Sequence, residues 1–204
     1  MKVDLALVLA VDCSSSVDTG DFKLQMLGIG AALRNPQLLK AIHAGDEGRI
    51  AVAMVQWSTR KSQSIVIKWR SLETESDLAR TASEIEQAER NWLPGGTGLA
   101  VALSFCTALL GRLPATTARS VIDVSGDGED NDGGDVVASR NAAIAKGITI
   151  NGLPIIDGSK RIEAYYRRVV TGGPGSFVIP AATIKDFKES MTQKLLREIG
   201  PQTA

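Results

Sequence analysis

Hydrophobic positions along the chain fall into short continuous runs that alternate with longer amphipathic stretches. Residues 5–11 form the clearest run, with seven consecutive aliphatic side chains and no polar face. A strand of this kind is typical of the centre of a parallel sheet, where helices cover both faces. From residue 18 to about residue 34, apolar side chains repeat at helical spacing. They are Phe22, Met26, Leu27, Ile29 and Leu33.

The remaining elements follow from the same periodicity and from helix-ending residues. Further strands are predicted over residues 49–57, 64–69, 120–125, 148–156 and 176–179. Further helices are predicted over residues 37–43, 75 to about 90, 98–110, 135–146, 160–170 and 187–199. Thr74 with Asp77, and Thr183 with Asp186, have the spacing of capping boxes. Residues 94–96, Pro-Gly-Gly, are predicted to break the chain, and Gly147 to end a helix.

Strands that alternate with helices predict an α/β fold, with a doubly wound, mostly parallel sheet of about six strands and helices on both faces. Residues 49–57 and 64–69 are the exception, because only a short turn separates them. We expect them to pair as an antiparallel hairpin whose second strand lies at the sheet edge. No repeat or low-complexity tract interrupts the sequence. Residues 1–204 are therefore predicted to form a single domain.

Charge and hydropathy exclude two classes of partner. The 23 basic and 23 acidic side chains give a net charge of zero, whereas nucleic-acid-binding domains usually have a basic excess. The longest apolar stretch, residues 3–11, is interrupted by Asp4 and is too short to span a bilayer. We therefore predict neither nucleic-acid binding nor membrane insertion.

Oxygen-bearing side chains follow the predicted strands at one end of the sheet. Asp12, Ser14 and Ser16 come directly after the first strand. Asp127 follows a later strand, and Thr97 opens the helix before that strand. In open doubly wound sheets, ligands bind outside the carboxyl ends of the strands. Carboxylate and hydroxyl oxygens suit Mg²⁺, Ca²⁺ or Mn²⁺ better than zinc, so we predict a site for a hard divalent cation at this end.

Each of these residues also has a simpler interpretation. Ser14 and Ser16 could cap the first helix. Thr97 could cap its own helix, and Asp127 could be a turn residue beside glycine. Asp12 is harder to explain, because a carboxylate directly after a long apolar run is expected to be nearly buried and to need a partner. The placement of three such loops at one end of the sheet favours the cation site.

The pattern Asp12-x-Ser14-x-Ser16, followed by Thr97 and Asp127, resembles the metal-ion-dependent adhesion site (MIDAS) of von Willebrand factor type A (vWA) domains. The resemblance covers nearly the whole chain. It implies that the serine hydroxyls bind the metal directly, that Thr97 binds directly or through water, and that the two carboxylates mostly hold coordinated waters. It further implies that the poorly compensated cation, Mg²⁺ or else Ca²⁺ or Mn²⁺, captures a Glu or Asp carboxylate of a protein partner.

Three segments narrow the resemblance to one bacterial family with this domain, DUF1194. They are VIDVSGDG at residues 121–128, TINGLPI at 149–155 and GGPGSF at 172–177. The members are uncharacterised secreted proteins, so the resemblance implies a periplasmic or secreted protein. The expected leader is absent from this sequence, and a cytoplasmic location stays open.

The residues also allow two other functions. A metal-dependent hydrolase or phosphotransferase would use Asp12, but Ser14 stands where a phosphotransferase has its second acid. A Ser-His-Asp hydrolase needs a base, and the only histidine, His43, is expected at the amino ends of the strands. Alternatively, the metal only staples the loops together. We predict that the chain is not an enzyme and that the metal serves recognition.

Overall fold

A computed structural model describes residues 1–91 and 95–200 of the chain. Of the predicted chain break at residues 94–96, Pro94 therefore lies outside the described residues. The strands are β1 (Lys2–Val3), β2 (Leu5–Asp12), β3 (Ile50–Trp57), β4 (Gln63–Leu72), β5 (Thr116–Thr117), β6 (Ser120–Gly126) and β7 (Ile148–Pro154). The helices are α1 (Thr19–Leu33), α2 (Pro36–His43), α3 (Glu75–Glu86), α4 (Leu99–Leu110), α5 (Val136–Ile144), α6 (Lys160–Tyr165) and α7 (Phe187–Ile199). A π-helical turn, Tyr166–Val170, continues α6, and a 3-10 turn, Ile184–Asp186, precedes α7.

The main sheet has the order β4-β3-β2-β6-β7. Strands β2, β3, β6 and β7 run parallel, and β4 pairs antiparallel with β3 at the edge. The α/β fold class and the antiparallel edge hairpin are therefore confirmed. Every residue of β2 is buried, because helices pack on both of its faces as its apolar run predicts. Both predicted capping boxes are also present.

Within residues 1–91 and 95–200, the main sheet has five strands rather than about six. The sixth predicted strand does not form a continuous ladder, although its chain runs along β7. Isolated parallel bridges join Val178 to Gly152 and Ala181 to Ile155. Pro154 stands between these bridges and has no N–H to donate, so the ladder is interrupted there. Strands β1 and β5 form a separate two-stranded ladder.

Helix α3 ends earlier than its periodicity predicts, at Glu86 rather than near Arg90. The buried side chain of Gln56, on β3, holds the segment after α3 in a non-helical conformation. Its Nε2 donates to the carbonyl of Glu89 at 2.9 Å, and its Oε1 accepts the N–H of Asn91 at 2.9 Å. These hydrogen bonds draw the segment across the end of the sheet.

Two hydrophobic clusters cover the two faces of the sheet. Alternate residues of β2, beginning with Leu5, pack in a cluster with α1, α2, α3 and α7. The intervening residues, beginning with Ala6, pack with α4, α5 and the turn after α6. This alternation is the period of a strand. Among the described residues, no helix combines the length and the apolar character needed to cross a bilayer.

A buried ionic cluster fastens α7 to the sheet. The ammonium of Lys194 lies 2.6 Å from a carboxylate oxygen of Asp123 on β6 and 2.6 Å from one of Glu198, and all three side chains are at most 1% exposed. Asn151 Nδ2 donates to Glu198 at 2.9 Å. Burial, and next the charge of Asp123, raises the pKa of Glu198 to about 8. Helix α7 therefore presents charged as well as apolar side chains to the sheet.

Candidate metal centre

Asp12 ends β2 with a carboxylate that is completely buried. One oxygen, Oδ1, accepts the backbone N–H of Ser14 at 2.7 Å, which closes a tight turn. The other, Oδ2, has no hydrogen-bond partner within residues 1–91 and 95–200. Burial, and next the charge of Asp127, raises the pKa of Asp12 to about 7, although the hydrogen bonds from Ser14 oppose this. A buried carboxylate oxygen without a partner fits a site for a cation.

The two serines and Asp127 form a chain of hydroxyl and carboxylate oxygens beside Asp12. Ser14 Oγ and Ser16 Oγ are 3.2 Å apart, and Ser16 Oγ donates to Asp127 Oδ1 at 2.6 Å. Ser14 is fully buried and Ser16 is exposed. The oxygens therefore lead from the interior to the surface at the carboxyl ends of β2 and β6.

Thr97 lies at the same end of the sheet, held by Asn131. Its N–H donates to Asn131 Oδ1 at 2.8 Å, and its carbonyl accepts the N–H of Asn131 at 3.0 Å. A Cβ added to Gly128 would lie 3.3 Å from Thr97 Oγ1, so the hydroxyl of Thr97 faces the residue after Asp127. The fold thus places all five predicted residues at one end of the sheet, and their binding of a metal stays a prediction.

The donor chemistry at this end is that of oxygen ligands. Cys13 lies between Asp12 and Ser14, but its side chain packs in the hydrophobic cluster with α1, and its thiol contacts the carbonyl of Val11 at 3.8 Å. Within the described ranges, no three His, Cys, Asp or Glu side chains are grouped so as to hold a metal. Hydroxyls and two carboxylates therefore make up the candidate ligand set, which suits a hard cation.

A family model described as "Protein of unknown function (DUF1194)" matches residues 2–203. The chain belongs to this family. Comparison with curated protein sequences finds no significant match. Solved structures resemble the DUF1194 chain at low sequence identity, so the likeness shows the fold alone.

Proximal thread matrix protein 1 from the mussel byssus is 14% identical over 97% of this chain and 48% of its own, with a TM-score of 0.71. The pilus adhesin SpaC from Lactobacillus rhamnosus GG is 13% identical over 97% of this chain and 31% of its own, with a TM-score of 0.69. A von Willebrand factor type A protein from Catenulispora acidiphila is 16% identical over 99% of this chain and 44% of its own, with a TM-score of 0.66. The DUF1194 chain therefore has a vWA-like fold and spans less than half of each of these proteins. A further structure of the mussel protein has a zinc-occupied MIDAS motif.

Supporting residues that the sequence reasoning missed hold the first loop of the DUF1194 chain in place. The guanidinium of Arg90 donates to the carbonyls of Cys13 at 2.6 Å and Ser14 at 2.7 Å. The buried amide of Gln25 donates to the carbonyl of Asp12 at 3.3 Å. All these acceptors are backbone atoms, so the ligand motif itself carries no signal for the supporting residues.

Acidic residues after Asp127 serve the local structure of the loop. Glu129 forms an ion pair with Arg161 at 2.7 Å. Asp130 accepts the N–H of Ala100 at 3.0 Å near the start of α4, and Asp135 caps α5. These carboxylates are therefore engaged with protein groups.

The absence of a side chain at Gly126 makes room for the centre of the DUF1194 site. A Cβ at this position would lie 2.7 Å from Asp12 Oδ2 and 2.9 Å from the hydroxyl of Tyr166. We expect Gly126→Ala to displace the Asp12 carboxylate, to lower the affinity for Mg²⁺ and to destabilise the fold by about 1–3 kcal/mol. Calorimetric titration with Mg²⁺ and urea unfolding measure the two effects.

Gly111→Ala is the matched control for this substitution. The nearest heavy atoms to a Cβ at Gly111 lie at 3.5 Å and 3.8 Å, which is ordinary contact. This variant should keep the Mg²⁺ affinity and the stability of the original chain. Equal behaviour of the two variants would contradict the role given to Gly126.

Proposed function

We propose that this chain is a protein-binding module that captures a carboxylate of its partner through a divalent cation. The cation is held by Asp12, Ser14, Ser16, Thr97 and Asp127, with Mg²⁺ as the first candidate and Ca²⁺ or Mn²⁺ as alternatives. The observation that carries the proposal is the unpaired oxygen of the buried Asp12 carboxylate. Within the described part of the chain this oxygen has no partner. The other oxygen of the carboxylate holds the backbone of Ser14, whose hydroxyl lies 3.2 Å from that of Ser16.

Charge balance supports recognition of an acidic group. Hydroxyl ligands are neutral. The Asp127 carboxylate accepts a hydrogen bond from the hydroxyl of Ser16, so we assign it to the outer shell of the cation, with the hydroxyl as the inner ligand. A cation held mainly by hydroxyls keeps much of its charge and favours an anionic ligand from outside. Because Ser16 is exposed while Asp12 is fully buried, the site opens to solvent on the side where a partner would approach.

The type of cation follows from the ligands. Oxygen donors alone favour Mg²⁺, Ca²⁺ and Mn²⁺, while zinc usually takes nitrogen or sulfur ligands. The zinc in the MIDAS motif of the mussel protein supports a divalent cation at this position of the fold.

We propose that the site performs recognition and no catalysis. His43, the only histidine, is exposed and contacts the carbonyl of Glu73 at 2.8 Å through Nε2. It ends α2, which precedes β3 in the chain, so it lies at the opposite end of the sheet from Asp12. A hydrolase of the Ser-His-Asp kind would need that base beside the serines.

We further propose that the chain acts in the periplasm or outside the cell. The pilus adhesin and the byssus matrix protein, which share its fold, act at or beyond the cell surface according to their names.

Retention on an immobilised glutamate-rich peptide tests the proposed function. We expect the chain to be retained in Mg²⁺ or Mn²⁺ and released by a chelator, because the peptide supplies the missing anionic ligand. Asp127→Asn should lower retention by at least about tenfold, which corresponds to about 1.4 kcal/mol of binding free energy. Asp135→Asn is the matched control, because asparagine still caps α5 and residue 135 is not among the proposed ligands.

A glutamine-rich peptide of the same length completes the experiment, since it keeps the shape and removes the charge. Equal retention on both peptides, or retention that survives the chelator, contradicts the proposal. Strong thermal stabilisation by the metal without retention on the glutamate-rich peptide would identify the metal as a structural staple instead.

A further inference from the structure

The hydroxyl of Tyr166 is buried on the same side of the sheet end as Asp12. Tyr166 is 0% exposed, and its hydroxyl has no hydrogen-bond partner in the described part of the chain, residues 1–91 and 95–200. A buried hydroxyl without a hydrogen-bond partner destabilises a fold. The packing of the ring into the core explains why an aromatic residue stands here, but phenylalanine would provide the same packing. The hydroxyl therefore needs its own explanation.

Gly126 shows how close this hydroxyl lies to the Asp12 carboxylate. An ideal Cβ on Gly126 would be 2.9 Å from the Tyr166 hydroxyl and 2.7 Å from Asp12 Oδ2. Both oxygens thus surround the same small space, and both lack partners among the described residues. Two polar atoms that face one small space without a direct hydrogen bond can be joined by one bridging water.

The backbone around Tyr166 is built to bring the ring to this place. Tyr166 begins the π-helical turn, and its carbonyl accepts the N–H of Thr171 at 2.9 Å and the hydroxyl of Thr171 at 3.1 Å. Such turns occur often at functional sites. A Cβ on Gly152 would lie 2.7 Å from the Tyr166 ring. Gly152 and Gly126, on adjacent strands, therefore leave room for the ring and for its hydroxyl.

We propose that Tyr166 is a positioning residue of the metal centre, whose phenolic hydroxyl donates to Asp12 Oδ2 through one bridging water. The proposal rests on the function proposed above. A phenol is an uncharged donor at neutral pH, so it orients the carboxylate without reducing its charge. The hydrogen bond fixes the rotamer in which Asp12 faces the cation and the two serines. Such outer partners of ligands commonly change metal affinity about 10–100-fold.

Tyr166→Phe tests this role, because it removes only the hydroxyl. We expect the affinity for Mg²⁺, measured by calorimetry on the full chain, to fall at least about tenfold. The metal-free variant should stay folded, because phenylalanine keeps the packing of the ring in the core. Tyr165→Phe is the matched control: the Tyr165 hydroxyl accepts the N–H of Asp130 at 3.2 Å and should leave Mg²⁺ affinity within about twofold.

Nuclear magnetic resonance gives a second measurement, the chemical shift of Tyr166. This shift should not respond to Mg²⁺ if the role of Tyr166 is purely structural. The chain has two tyrosines, so labelling their Cζ atoms with ¹³C gives two resonances that the two variants assign. The Tyr166 resonance should shift with Mg²⁺ and saturate at the calorimetric affinity. A Tyr166 resonance that stays in place at saturation, or a Tyr166→Phe variant that binds Mg²⁺ normally, overturns this proposal and leaves the proposed function standing. If the original chain binds none of Mg²⁺, Mn²⁺ and Ca²⁺, both fall.

Discussion

Asp12→Asn should lower the affinity for Mg²⁺ by at least about a hundredfold while the metal-free chain stays folded. Asparagine keeps the shape of the side chain and the oxygen that accepts the N–H of Ser14, but it removes the charge that faces the cation. The metal-free variant should be at least as stable as the original chain, because the charged form of Asp12 is disfavoured by burial, which raises its pKa to about 7. Calorimetric titration with Mg²⁺ and thermal unfolding in a chelator measure the two effects.

Asp18→Asn is the matched control for this prediction. Asp18 caps α1 by accepting the N–H of Asp21 at 2.8 Å, and asparagine caps helices equally well. This variant should retain both its Mg²⁺ affinity and its stability, although it removes the same charge six residues away. Unchanged Mg²⁺ affinity in Asp12→Asn would refute the assignment of the site.

The fold could be predicted because the burial of each element follows a simple period. Continuous apolar residues mark β2 as a central strand, and both capping boxes mark helix starts. One residue that we assigned to the apolar stripe of α1, Leu27, does not face the core. Leu27 is 42% exposed, and Gln25 is buried instead. Gln25 lies three residues after Phe22, on the inward side of the helix, where its amide meets the carbonyl of Asp12.

The candidate ligands could also be predicted, because they are polar side chains placed directly after apolar strands. The groups that position them could not. Arg90 reaches the first loop from a segment that was predicted to be helical, and Tyr166 reaches it from a π-helical turn that has no sequence period of its own. Such contacts depend on how distant segments meet, and hydrophobic periodicity describes each segment separately.

The ionic cluster beneath α7 was not foreseen for a related reason. Lys194 and Glu198 lie four residues apart on the inward face of α7, between Met191, Leu195 and Ile199. A sequence pattern assigns such charged side chains to the solvent. They are buried here because Asp123 on β6 and Asn151 on β7 supply partners. The ion pair of Lys194 with Asp123 is close, but neither Asp123 oxygen has a well-directed hydrogen bond from any described residue.

Lys194→Met should destabilise the fold by about 3–5 kcal/mol, because it leaves two buried carboxyl groups without their cation. Methionine fills similar volume, so the loss of charge rather than a cavity dominates the effect. Lys188→Met, on the exposed side of the same helix, is the control and should change stability by less than about 0.5 kcal/mol. Urea unfolding followed by circular dichroism measures both variants.

The pH dependence of this loss identifies the carboxyl groups as its origin. The pKa of Glu198 is raised in the fold to about 8, so the native state binds more protons than the unfolded state, and the free energy of unfolding falls as pH rises toward that value. Without Lys194 this fall should be steeper, because protonation becomes the remaining way to remove the buried charge. The variant should therefore lose more stability near about pH 8 than near about pH 5.

Adding Asp123→Asn and Glu198→Gln to Lys194→Met should recover most of the lost stability and flatten its pH dependence, since no charge then remains at the centre of the cluster. If Lys194→Met unfolds no more easily than Lys188→Met at either pH, other contacts hold α7 to the sheet.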